Sequence, residues 1–417
     1  MSRQSWCWIS ALLLSSCGGS DGPEPASCAW HFQTMDGARR IFALAALPSG
    51  DVVALGQILD GPPAHSWALR VDDHGDIEWS KASATTGYSS AYLNGSSALM
   101  MLRYDQAGAA LGRLDDDGNV QDEVALKTPG DYVMSVAGAD TGAFVAGYAV
   151  AMPRAGWVGR VDVTGGLVWR RELAPDCAAD LKTLAGRPAF DPTISSQPQA
   201  VTRSGEGAIV AGSCGQMVNE GYTASEVWLA RVSGAGEFAW LRTYPKPANA
   251  WPQDLAATVG GGAVVLSAGY PQPTSDVGWS RSTLRLLQVN ASGDAVGDWT
   301  YENGWSALHA RLVVLDDGFV IATSVLPDGA CAATWRKEGP CDQSPRGRVL
   351  RLDAAGQVLW DTPLTLGPTT LVEAVARAAD GEFVVGGAWS TQVNNTYGDH
   401  AFLVRIDASG VLCRADQ

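Results

Sequence analysis

Positive charge is scarce in this chain: 29 Lys and Arg stand against 44 Asp and Glu, a formal net charge of −15. That balance excludes the basic footprint needed for nucleic acid or an anionic membrane surface. Histidine is scarcer, with five residues (His31, His65, His74, His309, His400) and no H-x-H or HExxH spacing, so no metal site is indicated. No G-x-S-x-G or Walker pattern occurs, which removes the commonest nucleophile and phosphate-loop signatures. Gly260-Gly-Gly262 is followed by strand-type residues and not by a helix, so it reads as a hairpin turn. The acidic stretch 115–119 lacks the D-x-D-x-D-G spacing and distal Glu of a calcium loop, and reads as a solvated turn. No cofactor is expected.

What is present is a repeat. Arg351-Leu-Asp-Ala-Ala-Gly-Gln-Val-Leu-Trp360 has sisters beginning at Arg70, Arg113, Arg160, Arg231, Gln288 and Arg405. In each, Asp, Asn or Ser stands three residues before a Gly. The side-chain oxygen can fold back on its own backbone, and Gly supplies a positive φ, so each copy predicts a tight hairpin. A second hairpin precedes each copy, with a Gly turn at 50, 95, 142, 207, 262, 318 and 381 and an apolar run after it. Two hairpins make a four-stranded antiparallel blade. The repeat Gly moves from position 75 to 410 in steps of about 56 residues, a spacing that predicts a seven-bladed β-propeller of the all-β class.

The blades are expected at 36–84, 85–128, 129–176, 177–247, 248–303, 304–366 and 367–417. Residues 28–35 match the outer strand of a blade but precede the first full one. The last unit stops early. Pairing of N- and C-terminal strands is therefore expected to close the ring and remove a sheet edge. Connections are uneven. First and third turns are tight, whereas 173–199, 213–225, 267–281, 324–346 and 386–400 are long and fall on second turns or blade links. One face should be flat, the other built up by loops, where function usually sits.

The N-terminal residues read as targeting. Arg3 is a short positive region, and the apolar run 6–14 is too short to span a bilayer. Leu14-Ser-Ser-Cys17-Gly resembles the lipobox of bacterial lipoproteins, which implies cleavage before Cys17 and lipidation of its thiol. The expected organisation is a signal peptide over 1–16, a flexible tether over 17–27 and one propeller domain over 28–417. Past Cys17, six cysteines allow fifteen pairings. The propeller reading narrows these to Cys28–Cys413, Cys177–Cys214 and Cys331–Cys341, with buried free thiols as the competing reading.

Tryptophan is abundant, at 16 residues. Trp30, Trp79, Trp169, Trp240, Trp299 and Trp360 hold the outer-strand repeat position; Trp67, Trp157 and Trp228 sit three residues before the repeat Arg. These nine read as packing between blades. The repeat Arg residues read as structural, bonding carbonyls or acids between blades. Trp251, Trp279, Trp305, Trp335 and Trp389, with Tyr222, Tyr270 and Tyr397, remain as candidates for an aromatic binding surface on the loop face. Their competing reading is loop side chains folded onto the blades beneath.

Over 30–417 the pattern of apolar strand, loop and hydrophobic-Arg-hydrophobic-Asp-x-x-Gly-x-x-x-Trp resembles bacterial propeller-repeat lipoproteins. Asp162-Val-Thr-Gly165-Gly-Leu-Val-Trp169 is distantly similar to the quinoprotein-type Trp-docking repeat, with one residue fewer between Asp and Gly. No residue matches the cofactor-binding positions of quinoprotein dehydrogenases, so none is carried over. The resemblance implies an exported lipoprotein of the bacterial cell envelope, facing the periplasm or outer membrane. The expected role is a monomeric binding or scaffold module, taking a protein or glycan on the loop face and touching the membrane only through Cys17. The alternative is a propeller enzyme, oxidoreductase or hydrolase/lyase, with its site in the central funnel.

Overall fold

The structure is a computed structural model describing residues 33–35, 39–58, 65–83, 88–94, 98–105, 108–126, 131–149, 155–175, 194–218, 221–244, 250–269, 283–301, 309–325, 344–391 and 400–413. Seven four-stranded antiparallel sheets account for them, and no helix occurs among the described residues. The inner strands Arg39–Ala46, Tyr88–Asn94, Asp131–Gly138, Ile194–Ser204, Ala250–Ala257, Ala310–Leu315 and Thr369–Arg377 touch one another in that order, and the last touches the first. The sheets are thus the blades of a closed seven-bladed β-propeller. Ring closure is as expected: Gln33–Met35 pairs antiparallel with His400–Ile406, so the first strand of the chain is the outer strand of the last blade.

Each repeat folds as its residue types dictate. Gly75, Gly118, Gly165, Gly236, Gly293, Gly356 and Gly410 all have positive φ, between 72° and 89°. The Asx oxygen caps the turn: Asp72 Oδ1 accepts the N–H of His74 at 2.9 Å and of Asp76 at 2.8 Å. Asp162, Asn290, Asp353 and Asp407 make the equivalent pair of bonds. In the fourth blade the positive-φ residue of the first hairpin is Gly205, two residues before the expected Gly207, which already opens the next strand.

Burial falls from the middle of each blade outwards. The second strands Val52–Ile58, Ala143–Ala149, Ala263–Gly269, Gly318–Val325 and Phe383–Ser390 are buried almost throughout. Both of their faces meet neighbouring blades, so they read as continuous apolar runs where a half-covered strand would alternate. Fourth strands such as Leu167–Leu173 are mostly exposed. The core is divided into seven clusters, each shared by two adjacent blades.

Tryptophan and arginine fasten the blades together. The rings of Trp79, Trp169, Trp240, Trp299 and Trp360 lie on the turn glycines of the following blade, Gly118, Gly236, Gly293, Gly356 and Gly410. Trp79, Trp169 and Trp240 Nε1 donate to the carbonyls of Asp116, Gly234 and Ala291 at 2.7, 2.8 and 2.9 Å. Arg70, Arg160 and Arg231 donate to the same carbonyls at 3.3, 3.3 and 3.1 Å. Arg405 reaches the Asp73 carbonyl at 3.1 Å and fastens the last blade to the first. In the fifth blade Gly297, not Trp299, pairs with Gln288 in the repeat register. A Cβ on Gly297 would lie 2.1 Å from the Trp299 ring, so the ring folds back over the glycine and still caps Gly356. Trp67, Trp157 and Trp228 are fully buried, each paired across strands with a glycine: Gly56, Gly147 and Gly212.

The first and third turns that the structure describes are tight, and they share one face. The strand ends joined by 176–193, 270–282, 326–343 and 392–399 share the other. The expected long loop at 213–225 is largely strand: Gly207–Val218 and Gly221–Val232 continue pairing to Val218↔Gly221 and stand out as an extended hairpin on that face.

Candidate functional site

The inner strands start at the loop face, and their free edges surround the central channel. Six of the seven carry a β-bulge part-way along, at Ile41/Ala43, Tyr88/Ser90, Val133/Ser135, Pro198/Ala200, Pro252/Asp254 and Val372/Ala374. Bulges re-aim side chains. Near these starts, charged residues break into otherwise apolar strands: Arg40 in the first blade, Asp254 in the fifth, His309 and Arg311 in the sixth, Glu373 in the seventh.

Four of these converge. Arg40 grips the Glu373 carboxylate through both Nε and Nη2. The Arg40 Nη2 also lies 2.9 Å from His309 Nε2, and Glu373 Oε1 is 3.2 Å from the same nitrogen. Because guanidinium only donates, Nε2 is the acceptor, which leaves the proton of a neutral ring on Nδ1. Arg311 Nη1 donates to the bulge carbonyl of Gln253 at 3.1 Å and to its own neighbour Ala310 at 3.4 Å. Asp254 accepts the N–H of Leu255 and of Leu312, both at 2.8 Å, the second across the interface between blades.

Electrostatics follow from burial first and charge second. Burial lowers the His309 pKa to about 3, with Arg40 and then Arg311 adding to the effect. Burial pushes Glu373 up, and its bond to Arg40, with the charges of Arg40 and Arg311, opposes that shift. Asp254 is raised by burial and held back by Arg311 and its two N–H donors. The side chain of Glu373 is 1% exposed, against 21% for Arg40 and 36% for His309. Solvent thus reaches the donors more than the acceptor.

Two of the expected aromatic residues are described in full. Trp251 is the second residue of Ala250–Ala257, at the same channel-mouth end as Arg40 and Arg311 in their strands. Trp389 lies two blades away, half-buried, stacked on His400 with ring centroids 4.6 Å apart, and packed against Gly367. Tyr222 stands on the extended hairpin opposite Met217. Trp279, Trp305, Trp335, Tyr270 and Tyr397 lie outside the described residues, as do Cys17, Cys28, Cys177, Cys331 and Cys341. Cys214 and Cys413 are buried and disulfide-bonded, and the cysteines expected opposite them are among those outside.

The polar cluster escaped motif reading because its members are up to 333 residues apart. Its trace in the sequence is a lone carboxylate or arginine inside an apolar inner strand, as in Leu371-Val-Glu373-Ala-Val375. Among the described residues no three His, Cys, Asp or Glu side chains are grouped as metal ligands.

No family model matches the chain, and no curated protein does. Among solved structures it is similar to the Dos1 propeller, at 11% identity over 90% of this chain and 93% of that one, with a TM-score of 0.45. It is also similar to the quinohemoprotein alcohol dehydrogenase ADHIIG of Pseudomonas putida HK5, at 12% identity over 93% and 68% with a TM-score of 0.48. A third is a europium-containing methanol dehydrogenase, at 12% identity over 92% and 80% with a TM-score of 0.46.

Proposed function

We propose that this chain is an exported, lipid-anchored binding module of the bacterial cell envelope that takes a protein or glycan on its loop face without transforming it. One observation carries the reading: the strand ends that the long connections join, and the extended hairpin at Gly207–Val218 and Gly221–Val232, share one face of a rigid ring, while the described tight turns share the other. Long segments displayed on a fixed scaffold suit recognition. The lipobox-like stretch at Cys17 supports the anchor, since multiple acyl chains hold stably where one is marginal. The aromatic residues at 222, 251, 279, 305, 335, 389, 270 and 397 are the proposed contact surface.

A funnel enzyme is the second reading, favoured by Glu373 and His309 meeting at the channel mouth. Both groups are already engaged. Glu373 is gripped by Arg40, and a ring that titrates at about 3 is a poor base at neutral pH. A quinone absorbance of the purified protein, or an activity lost on chelation, would favour the enzyme.

The test has two arms. Cys17→Ala should abolish labelling by a fatty-acid analogue in a bacterial host and release the protein from membranes; unchanged labelling rejects the anchor. On a glycan and peptide array, replacing 216–223 by a two-residue turn, which keeps the buried Cys214, should remove binding that a short-face change such as Asp116→Ser leaves intact. Equal effects of the two changes reject the loop face.

A further inference from the structure

We infer that the loop-face mouth of the central channel holds a binding site for one monoanionic oxyanion group, a carboxylate or a phosphate, built by Arg311, Arg40 and His309. The carboxylate acceptors there are all engaged. Both Glu373 oxygens are taken by Arg40, and the two Asp254 oxygens each take a backbone N–H. The donors are not. Arg311 bonds two carbonyls through Nη1 alone, which leaves Nε and Nη2 unbonded among the described residues. Arg40 uses Nε and Nη2 and leaves Nη1. His309, accepting at Nε2, keeps a proton on Nδ1 that faces no acceptor among the described residues.

Charge points the same way. Arg40 is matched by Glu373, whereas Arg311 has no ion-pair partner among the described residues; Asp254 is already bonded by two backbone N–H groups, and burial opposes its charged form. That leaves one guanidinium without an ion-pair partner, in a chain whose formal net charge is −15. Half-buried guanidinium beside a neutral N–H donor is the donor set that recognises a planar carboxylate or a phosphate. The site lies on the loop face but does not depend on what the loops bind.

Isothermal titration of the full chain tests this, using sodium D-glucuronate and inorganic phosphate in turn at constant ionic strength, with chloride as the control. One-to-one saturable binding of either probe is expected. Glucuronate alone would assign a carboxylate-bearing ligand, phosphate alone a phosphorylated one. Arg311→Met keeps the apolar stem and removes the fork, so it should weaken binding about 10- to 100-fold, the loss of one charge-assisted contact. Should that variant fold poorly, Arg311→Lys keeps the charge without the fork and should bind more weakly than the unaltered chain. Absence of saturable binding for both probes overturns the site. So does binding that is unchanged in the folded Arg311 variant.

Discussion

Arg40 and Glu373 stand 333 residues apart in sequence and meet as a two-pronged ion pair across the junction of the last and first blades. It is the innermost of three fastenings there. The others are the pairing of Gln33–Met35 with His400–Ile406, and the Arg405 bond to the Asp73 carbonyl. Removing one partner of a buried pair leaves a charge without compensation. The two partners differ in burial, so the two losses should differ. Arg40→Met strands a carboxylate that is 1% exposed and should cost about 3–5 kcal/mol. Glu373→Met strands a guanidinium that water can reach, and should cost less. The double variant should recover most of the Arg40→Met loss, because a well-packed apolar pair replaces a desolvated ionic one. Denaturant unfolding of the four proteins measures the cycle; additive losses would mean that the pair is not coupled.

The docking of Trp169 on Gly236 gives a second prediction. Gly236 has φ +85°, and an added Cβ would lie 2.7 Å from the indole ring. Gly205 has φ +62° with nothing within 4 Å. Both Gly→Ala changes incur left-handed backbone strain, but only the first also overpacks an interface. Gly236→Ala should therefore be more destabilising than Gly205→Ala by about 1–3 kcal/mol. In a Trp169→Leu background, which shortens the side chain, the gap should close. A gap that persists there would place the cost in the backbone alone.

The N-terminal strand makes a third prediction. Without Gln33–Met35, the strand His400–Ile406 becomes an apolar free edge, its residues buried in the intact ring except at His400. Free edges recruit other chains. A chain beginning at Arg39 should melt earlier and scatter light at concentrations where the full chain stays clear. An unchanged melting temperature would show that the ring is held by Arg40–Glu373 and Arg405–Asp73 without it.

These three relationships differ in how openly the sequence displays them. The turn at Asp162–Gly165 is local, so residue type alone determines it. Trp169 is also legible, because its distance from Gly165 recurs. Trp299 shows the limit of spacing: two residues were added before it, and its ring still reaches Gly356 only because Gly297 leaves room. The stretch 213–225 reads as a loop from its polar and glycine residues, yet cross-strand pairing to Val218↔Gly221 keeps it extended. Arg40, His309 and Glu373 have no local relationship at all. Ring closure brings them together, and no spacing within one blade foreshadows it.

His309 carries the fourth prediction, the dependence of stability on pH. In the unfolded chain a histidine titrates near 6.5, whereas burial beside Arg40 and Arg311 lowers the folded value to about 3. Above about pH 6.5 both states are neutral and the ring adds no slope. Below it the unfolded chain binds a proton that the folded ring refuses, so stability falls as pH falls towards about 3. Glu373 and Asp254, both raised by burial, act with the opposite sign: their shares are present below the ordinary carboxylate range and are lost as pH rises through their folded values. Comparison with His309→Gln isolates the ring from these neighbours. Between about pH 6.5 and 4 the unaltered chain should lose stability more steeply than the variant, by an amount damped because the ring is 36% exposed. Denaturant unfolding at a series of pH values reads the two slopes. Parallel curves would mean that the folded ring takes up its proton at an ordinary pKa, and that burial beside Arg40 and Arg311 does not hold it neutral below about pH 6.5.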